Sequence, residues 1–397
     1  MRRSGREFPV RGRAAGFSFE CSSPFLHTIR QSGGVFFMAR TRVWRAPVAA
    51  VAVTAGAGFS SGREVALFFS QMGWASWAGV LFASALFGAL CGLIAHFARQ
   101  TGAHSFSGVY LRALEPRQGM VVGAMHGLLM AMTAGVMLVA CGELAMLALP
   151  FHNAFWMGVL FALAGALLLN LRGMRALPAA GAAALLLMAA FFLALAADPR
   201  DVTVHLNYEV DPELLGSTAA AILMGTLHAA LNASIAGGVI ACFSSETGQP
   251  AAFGARCGAL MLAVLSAANA AMARGGEKLL AQALPMVVLA ARWGTFGYYA
   301  CIAVMALGSI ATLSAAVGAL IGQLDDGPRS RKAVLAVLAA GGALAALLGF
   351  ERAVELGYPM LGWASVFSLA ALACCVDRIS HRFPTDVLNS QNPPSRS

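Results

Sequence analysis

The chain contains about ten separate runs of mainly apolar residues, most of them near the length of about 20 residues that one helix needs to cross the hydrocarbon core of a bilayer. A water-soluble fold has no interior large enough to hide them all. Of the 397 residues, 59% are hydrophobic and 11% are charged, whereas soluble domains carry about a quarter charged residues. The chain therefore reads as an all-α polytopic membrane protein embedded in a lipid bilayer, and a soluble enzyme is excluded. The formal net charge is +9. Because the basic residues lie scattered between apolar runs and form no patch, they point to membrane topology and not to nucleic acid. The cysteines Cys91, Cys141, Cys242, Cys301, Cys374 and Cys375 fall inside or at the ends of apolar runs without metal-ligand spacing, and read as small hydrophobes.

Breaking the runs at charged or Gly/Pro-rich joints places the first five spans at about 46–70, 75–98, 118–149, 154–171 and 176–197, and the second five at about 214–243, 252–272, 294–324, 333–349 and 356–376. Residues 1–45 form a basic tail, read either as a disordered cytoplasmic segment or as an over-long gene start ahead of Met38. The acidic stretch 198–213 connects the halves outside the cytoplasm, and 377–397 is a cytoplasmic C-terminal tail. Arg40, Arg42, Arg45, Arg99, Arg112, Arg117, Arg172, Arg175, Arg256, Arg329, Arg331, Lys332, Arg378 and Arg382 then share one side, while the other has only Arg200, Arg274, Lys278, Arg292 and Arg352. By the positive-inside rule both termini are cytoplasmic, in what is expected to be a bacterial cell membrane.

The halves correspond. The first span of each is interrupted by small residues, Gly56-Ala57-Gly58 with Gly62 in one and Ala236-Gly237-Gly238 after Asn232 in the other, and the third span of each is the longest. Five spans is an odd number, so the second half enters the membrane inverted. Paired Gly-broken spans in such a repeat mark a transport site near the midplane.

The residues able to carry chemistry cluster at these interruptions. An opened helix near Gly56, Ala57, Gly58 and Ser60 exposes backbone groups that hydrocarbon does not tolerate unless they line a polar cavity or bind a ligand. Arg63 and Glu64 follow immediately, and charges within a span are costly and usually functional. In the sixth span His228 and Asn232 share a face, just before Ser234 and Gly237. Glu64, Glu143 and His228, with His126, are candidates for proton coupling. The segment Gly58-Phe59-Ser60-Ser61-Gly62 also satisfies G-x-S-x-G, so an intramembrane serine hydrolase using Ser60 or Ser61 with His126 or His228 is a remote alternative, although that motif belongs to a strand–turn–helix.

Gly56-Ala57-Gly58-Phe59-Ser60-Ser61-Gly62-Arg63-Glu64 followed by Phe68-Phe69 resembles the first helix of the YkvI-type bacterial membrane proteins. Leu284-Pro285-Met286, Ser314-Ala315-Ala316-Val317-Gly318 and Tyr358-Pro359-Met360-Leu361-Gly362 resemble later segments of that family in order. The resemblance covers about 46–376 and implies membership of the amino acid, polyamine and organocation transporters. Their LeuT-like fold is a five-plus-five inverted repeat with helices 1 and 6 broken. By the same resemblance, substrate contacts come from Gly56 to Gly58 and from the region of Asn232. A sodium ion would be held by the carbonyls of Ala52, Ala55 and Ala311 and the hydroxyl of Ser314, with Thr312 or water standing in for a second hydroxyl that is absent at Ala315.

The expected function is ion-coupled secondary transport of a small solute, an amino acid or amine, driven by Na+ or H+ with no other cofactor. A ligand sensor of the same fold that binds without transporting is the alternative. The oligomeric state is not legible in the sequence.

Overall fold

The computed structural model describes residues 34–171, 177–198, 214–322 and 328–376. The chain divides into two compact units, Met1–Arg40 and Thr41–Ser397, and the packing described below lies in the second. Among the described residues there are helices and no strands.

The first span is broken. Helix α1 (Gly34–Ala52) begins well ahead of the expected start at 46, carries Pro47 within it, and ends where glycine spacing weakens the helix. The chain leaves it through a tight turn in which the Thr54 and Ala55 amides donate to the Val51 and Ala52 carbonyls. It resumes as α2 (Ala57–Ser60) and α3 (Arg63–Phe68), hinged at Gly62, whose φ of 81° favours glycine.

The remaining predicted spans appear as α4 (Ala75–Thr101), α6 (Pro116–Ala148), α7 (Ala154–Leu171), α8 (Leu177–Ala197), α9 (Leu214–Cys242), α10 (Pro250–Ala273), α13 (Gly294–Ile321), α14 (Pro328–Arg352) and α15 (Tyr358–Ala373). Eight of the helical stretches among the described residues are long and apolar enough to cross a membrane by length and composition. The broken first span and α14 bring the helical spans to the expected ten. Short helices α5 (Phe106–Ala113), α11 (Gly276–Leu280) and α12 (Pro285–Ala290) fill joints that hydropathy left as loops. Residues 1–33, 199–213 and 377–397, with the tails and most of the connecting loop assigned to them, lie outside the described residues.

One expectation is overturned. The sixth span is a continuous helix, α9, running through Ala236, Gly237 and Gly238. These glycines serve close packing instead of a break. A Cβ at Gly237 would meet the Phe106 ring at 2.3 Å, and one at Gly238 would meet Ala319 at 3.0 Å. A helix whose glycines are pressed on both sides by neighbours keeps its hydrogen bonds, because the neighbours exclude the groups that would replace them.

The packing reflects the repeat. Helix α4, second in its half, packs on α10, second in the other, and α6 packs on α13, third on third. The pairing of α6 with α14 is matched by that of α13 with α7, which exchanges third and fourth positions between halves. Small residues permit these contacts, as in membrane bundles generally. At the α4–α10 crossing, a Cβ on Gly254 would lie 2.4 Å from the Gly88 carbonyl oxygen, so only glycine admits this approach. The architecture is a LeuT-like inverted repeat with one broken helix where two were expected.

Candidate functional site

The break at the end of α1 presents backbone polarity inside the bundle. Among the described residues, no hydrogen bond reaches the Thr54 or Ala55 carbonyl oxygens. The Val53 carbonyl accepts from Thr312 Oγ1 at 2.8 Å. The Ala57 amide points at the Met137 sulfur at 3.4 Å. Helix α13 comes so close that a Cβ on Gly308 would lie 2.4 Å from the Ala55 oxygen. Unwound backbone is tolerated at membrane depth only where protein or a polar cavity surrounds it, and α6 and α13 supply that surrounding here.

One helical turn beyond the break stands a buried polar cluster. Glu64 is 2% exposed, Asn232 1% and His228 0%. Asn232 Nδ2 donates to Glu64 Oε1 at 3.0 Å and to the His228 carbonyl at 3.0 Å. His228 Nε2 lies 3.1 Å from the same carboxylate oxygen but off the hydrogen-bonding line, and its Nδ1 has no partner. Phe59, Phe68 and Phe69 enclose the imidazole, with ring centroids 6.4, 5.5 and 5.0 Å away. The second oxygen of Glu64 faces the glycine of the break: a Cβ at Gly58 would meet Glu64 Oε2 at 3.1 Å and the Tyr358 ring at 3.1 Å. The site thus combines a buried carboxylate held by the Asn232 amide, with His228 beside it, and a backbone break one helical turn away whose Thr54 and Ala55 carbonyls accept no hydrogen bond among the described residues.

Arg63, adjacent in sequence, turns the other way. Its Nη1 donates to the carbonyls of Leu280 (2.8 Å) and Gln282 (3.2 Å). Its Nη2 pairs with Glu355 and lies 3.4 Å from Glu351. Glu355 sits on the π-helical turn Ala353–Gly357 that joins α14 to α15, and such turns are frequent at functional sites. One guanidinium thereby ties α3 to the α14–α15 joint and to the segment after α10. Sequence reasoning singled out Arg63 but not these partners, which lie more than two hundred residues away in the chain and have no local signature.

The other expected residues divide. Gly56, Ala57 and Gly58 line the break, with Glu64, His228 and Asn232 beside it. Thr312 faces it, but Ser314, two residues on and hence on the far side of α13, does not. Asn170 Nδ2 on α7 donates to the Ser314 carbonyl at 3.0 Å and hydroxyl at 3.1 Å. The Ala52 carbonyl accepts from the Ala55 amide within the turn. Glu143 is also elsewhere. Gly349, with φ 72°, kinks α14 and frees the Phe350 amide, which donates to Glu143 Oε1 at 3.2 Å. That carboxylate caps a kink. Gly237 is covered by Phe106, and Ser234 is buried with its hydroxyl unpartnered.

The serine hydrolase alternative loses its geometry. Ser60 Oγ donates to the Gly56 carbonyl at 2.8 Å, and Ser61 Oγ donates to the Gly58 carbonyl at 3.0 Å while accepting from the Arg63 amide. The motif is a helical turn closed by Gly62, no strand precedes it, and no hydrogen bond joins either hydroxyl to His126 or His228 among the described residues. No cluster of three or more His, Cys, Asp or Glu side chains able to hold a metal occurs among the described residues.

No family model matches the chain, and no curated protein is similar enough to be matched. Among solved structures, the Eremococcus coleocola manganese transporter in complex with an aromatic bis-isothiourea substituted compound superposes with a TM-score of 0.52 at 13% identity, covering 93% of this chain and 92% of that one. A histidine-to-alanine mutant of the same transporter gives 0.48 at 14% identity over 88% and 80%. The first of these likenesses, to a transporter of LeuT-like fold, establishes that this chain is a multi-pass membrane protein sharing that fold.

Proposed function

We propose that the chain is a secondary transporter that moves a small amine-bearing solute, an amino acid or a simple amine, by alternating access around the α1–α2 break. The observation that carries this reading is the Glu64 carboxylate, buried beside the break with one oxygen turned toward Gly58. A buried carboxylate is costly unless paired, and an ammonium group at the break beside Gly58 would pair it. The basic end of the bundle, with Arg99, Arg112 and Arg117, is taken as cytoplasmic in a bacterial cell membrane. Arg63 and its glutamates then close the outer side. Membership of the amino acid, polyamine and organocation transporters belongs to this reading and is carried by the first-span motif.

Coupling is assigned to protons. Glu64 and His228 lie within 3.1 Å of one another, and a proton on the pair competes directly with an ammonium ligand. The engagement of Ser314 by Asn170, away from the break, weighs against sodium.

A second reading follows from the manganese transporter of the same fold: a divalent cation as cargo. The ligand set here is poor in charge for such an ion, since hard divalent cations prefer several oxygen donors.

The test is uptake into proteoliposomes across amino acids, amines and Mn2+, each with a pH gradient, a sodium gradient or neither. Amine or amino acid uptake that follows the pH gradient and is lost in Glu64→Gln supports the proposal. Uptake of Mn2+ alone would replace it with the second reading. Binding of an amine, seen as thermal stabilisation, without flux under any gradient would make the protein a sensor.

A further inference from the structure

At the opposite end of the bundle from Arg63, three buried polar atoms lack hydrogen-bond partners: Ser107 Oγ and Tyr110 Oη, about one turn apart on α5, and His126 Nε2 on α6, the helix against which α5 packs. Tyr110 is 0% exposed, His126 3% and Ser107 7%. Tyr110 and His126 pack on Phe106, whose ring centroid lies 4.6 Å from that of Tyr110 and 4.9 Å from that of His126, edge-on to the imidazole, and Ser107 follows Phe106 in the chain. Proteins satisfy nearly all buried polar groups, so three orphans in one cluster require an explanation. Burial also pushes the Tyr110 phenol above its ordinary pKa, which keeps it an O–H donor.

The cluster lies in line with the central site. His126, Met130 and Met137 recur at i, i+4 and i+11 and so share one face of α6, and Met137 is the residue whose sulfur meets the Ala57 amide at the break. Eleven residues of helix place His126 about 16 Å further toward the basic end. Between the cluster and α9, the Phe106 ring occupies the place of a side chain at Gly237. Helix α5 is seated there by its own cap, the Gly108 amide donating to Ser105 Oγ at 3.1 Å, and by packing on α6 and α9.

We propose that Ser107, Tyr110 and His126 form a second polar subsite on the solute path, facing the basic side and sealed in this conformation by Phe106 against Gly237. It takes a small hydrogen-bonding solute, which the three groups contact through neutral donors and acceptors, in contrast to the charged Glu64 site above. When α5 withdraws, the ring leaves Gly237 and the three orphaned groups become the wall of an open vestibule. The assignment as a solute subsite rests on the transport reading. The gate itself does not.

The test is thiol accessibility. Full-length protein carrying Ser107→Cys, with Cys21, Cys242 and Cys374 replaced by Ala, is reconstituted and treated with a membrane-impermeant maleimide from each side. Labelling is expected to be slow. Adding Gly237→Ala, which puts a methyl where the ring sits, should raise the labelling rate from the basic side at least about tenfold, the factor that a 1.4 kcal/mol shift toward the open form gives. Gly238→Ala, which crowds α13 and not α5, should leave the rate unchanged. If Gly237→Ala does not yield folded protein, Phe106→Ala removes the plug from the other side and should give the same rise. No rise in either folded variant, an equal rise with Gly238→Ala, or labelling only from the acidic side would each overturn the proposal. A rise accompanied by no flux of any solute in the uptake panel would keep the gate and remove the transport reading.

Discussion

Replacing Asn232 with Leu isolates the energetics of the central cluster. The amide donates at 3.0 Å to a carboxylate that is 2% exposed, and His228 stands out of line to replace it. A hydrogen bond to a charged group contributes about 1.5–3 kcal/mol, and an abandoned buried acceptor adds its desolvation penalty. Asn232→Leu should therefore cost about 2–4 kcal/mol. Glu64→Met should cost less, because the Asn232 amide keeps its bond to the His228 carbonyl. The double variant Glu64→Met/Asn232→Leu removes both partners at once and should recover most of the loss, since apolar replacement of both members of a buried pair is close to neutral. The measurement is reversible unfolding in mixed detergent micelles of the four proteins. A coupling energy of about 1.5–3 kcal/mol is expected. Costs that add within about 0.5 kcal/mol, the tolerance for independent sites, would show that Asn232 does not support the Glu64 carboxylate, and the electrostatic account of the site would fall.

Three other outcomes follow. Gly254→Ala, which sets a methyl 2.4 Å from the Gly88 oxygen, should lower stability by about 1–3 kcal/mol through overpacking. Gly342→Ala, with open space around its Cβ, should be neutral or stabilising by up to about 1 kcal/mol, and equal effects in a detergent melt would contradict the packing of α4 on α10. A serine-reactive fluorophosphonate should label the folded protein no more than it labels the Ser60→Ala/Ser61→Ala variant, because both hydroxyls are engaged on backbone carbonyls. Sodium should leave the thermal midpoint unchanged; a sodium-dependent rise abolished in Ser314→Ala would refute the assignment of coupling to protons.

The fold was legible because its determinants are written in short windows. Apolar runs such as 154–171 read directly as spans, and a span cannot hide its length from a hydropathy count. The short joints were less legible. Helix α5 is eight residues long, begins at a Ser105 cap and carries Arg112 in its last turn, so it looks like a loop to any criterion tuned to membrane crossing. The break in the first span was legible for a sharper reason: Gly56, Gly58 and Gly62 all lie within seven residues of one another.

The same composition signal misled in the sixth span, and the contrast between the two locates what a sequence omits. A Gly-Gly pair weakens a helix wherever it stands, but whether the helix opens depends on what presses against it. At Gly56 the nearest atoms are the flexible Met137 thioether and the Thr312 hydroxyl, which can hydrogen-bond to bare backbone. At Gly237 the neighbour is the rigid Phe106 ring, which offers backbone nothing and forces the helix to keep its own bonds. The identity of Phe106 as that neighbour depends on where an eight-residue helix more than a hundred residues upstream comes to rest. Two similar sequence signals thus fold into an asymmetric pair, with a broken helix in one half and a continuous, closely packed helix in the other. On the proposed gate, a side chain at Gly237, which would meet the Phe106 ring, should perturb access from the basic side while leaving the Asn232–Glu64 coupling energy intact.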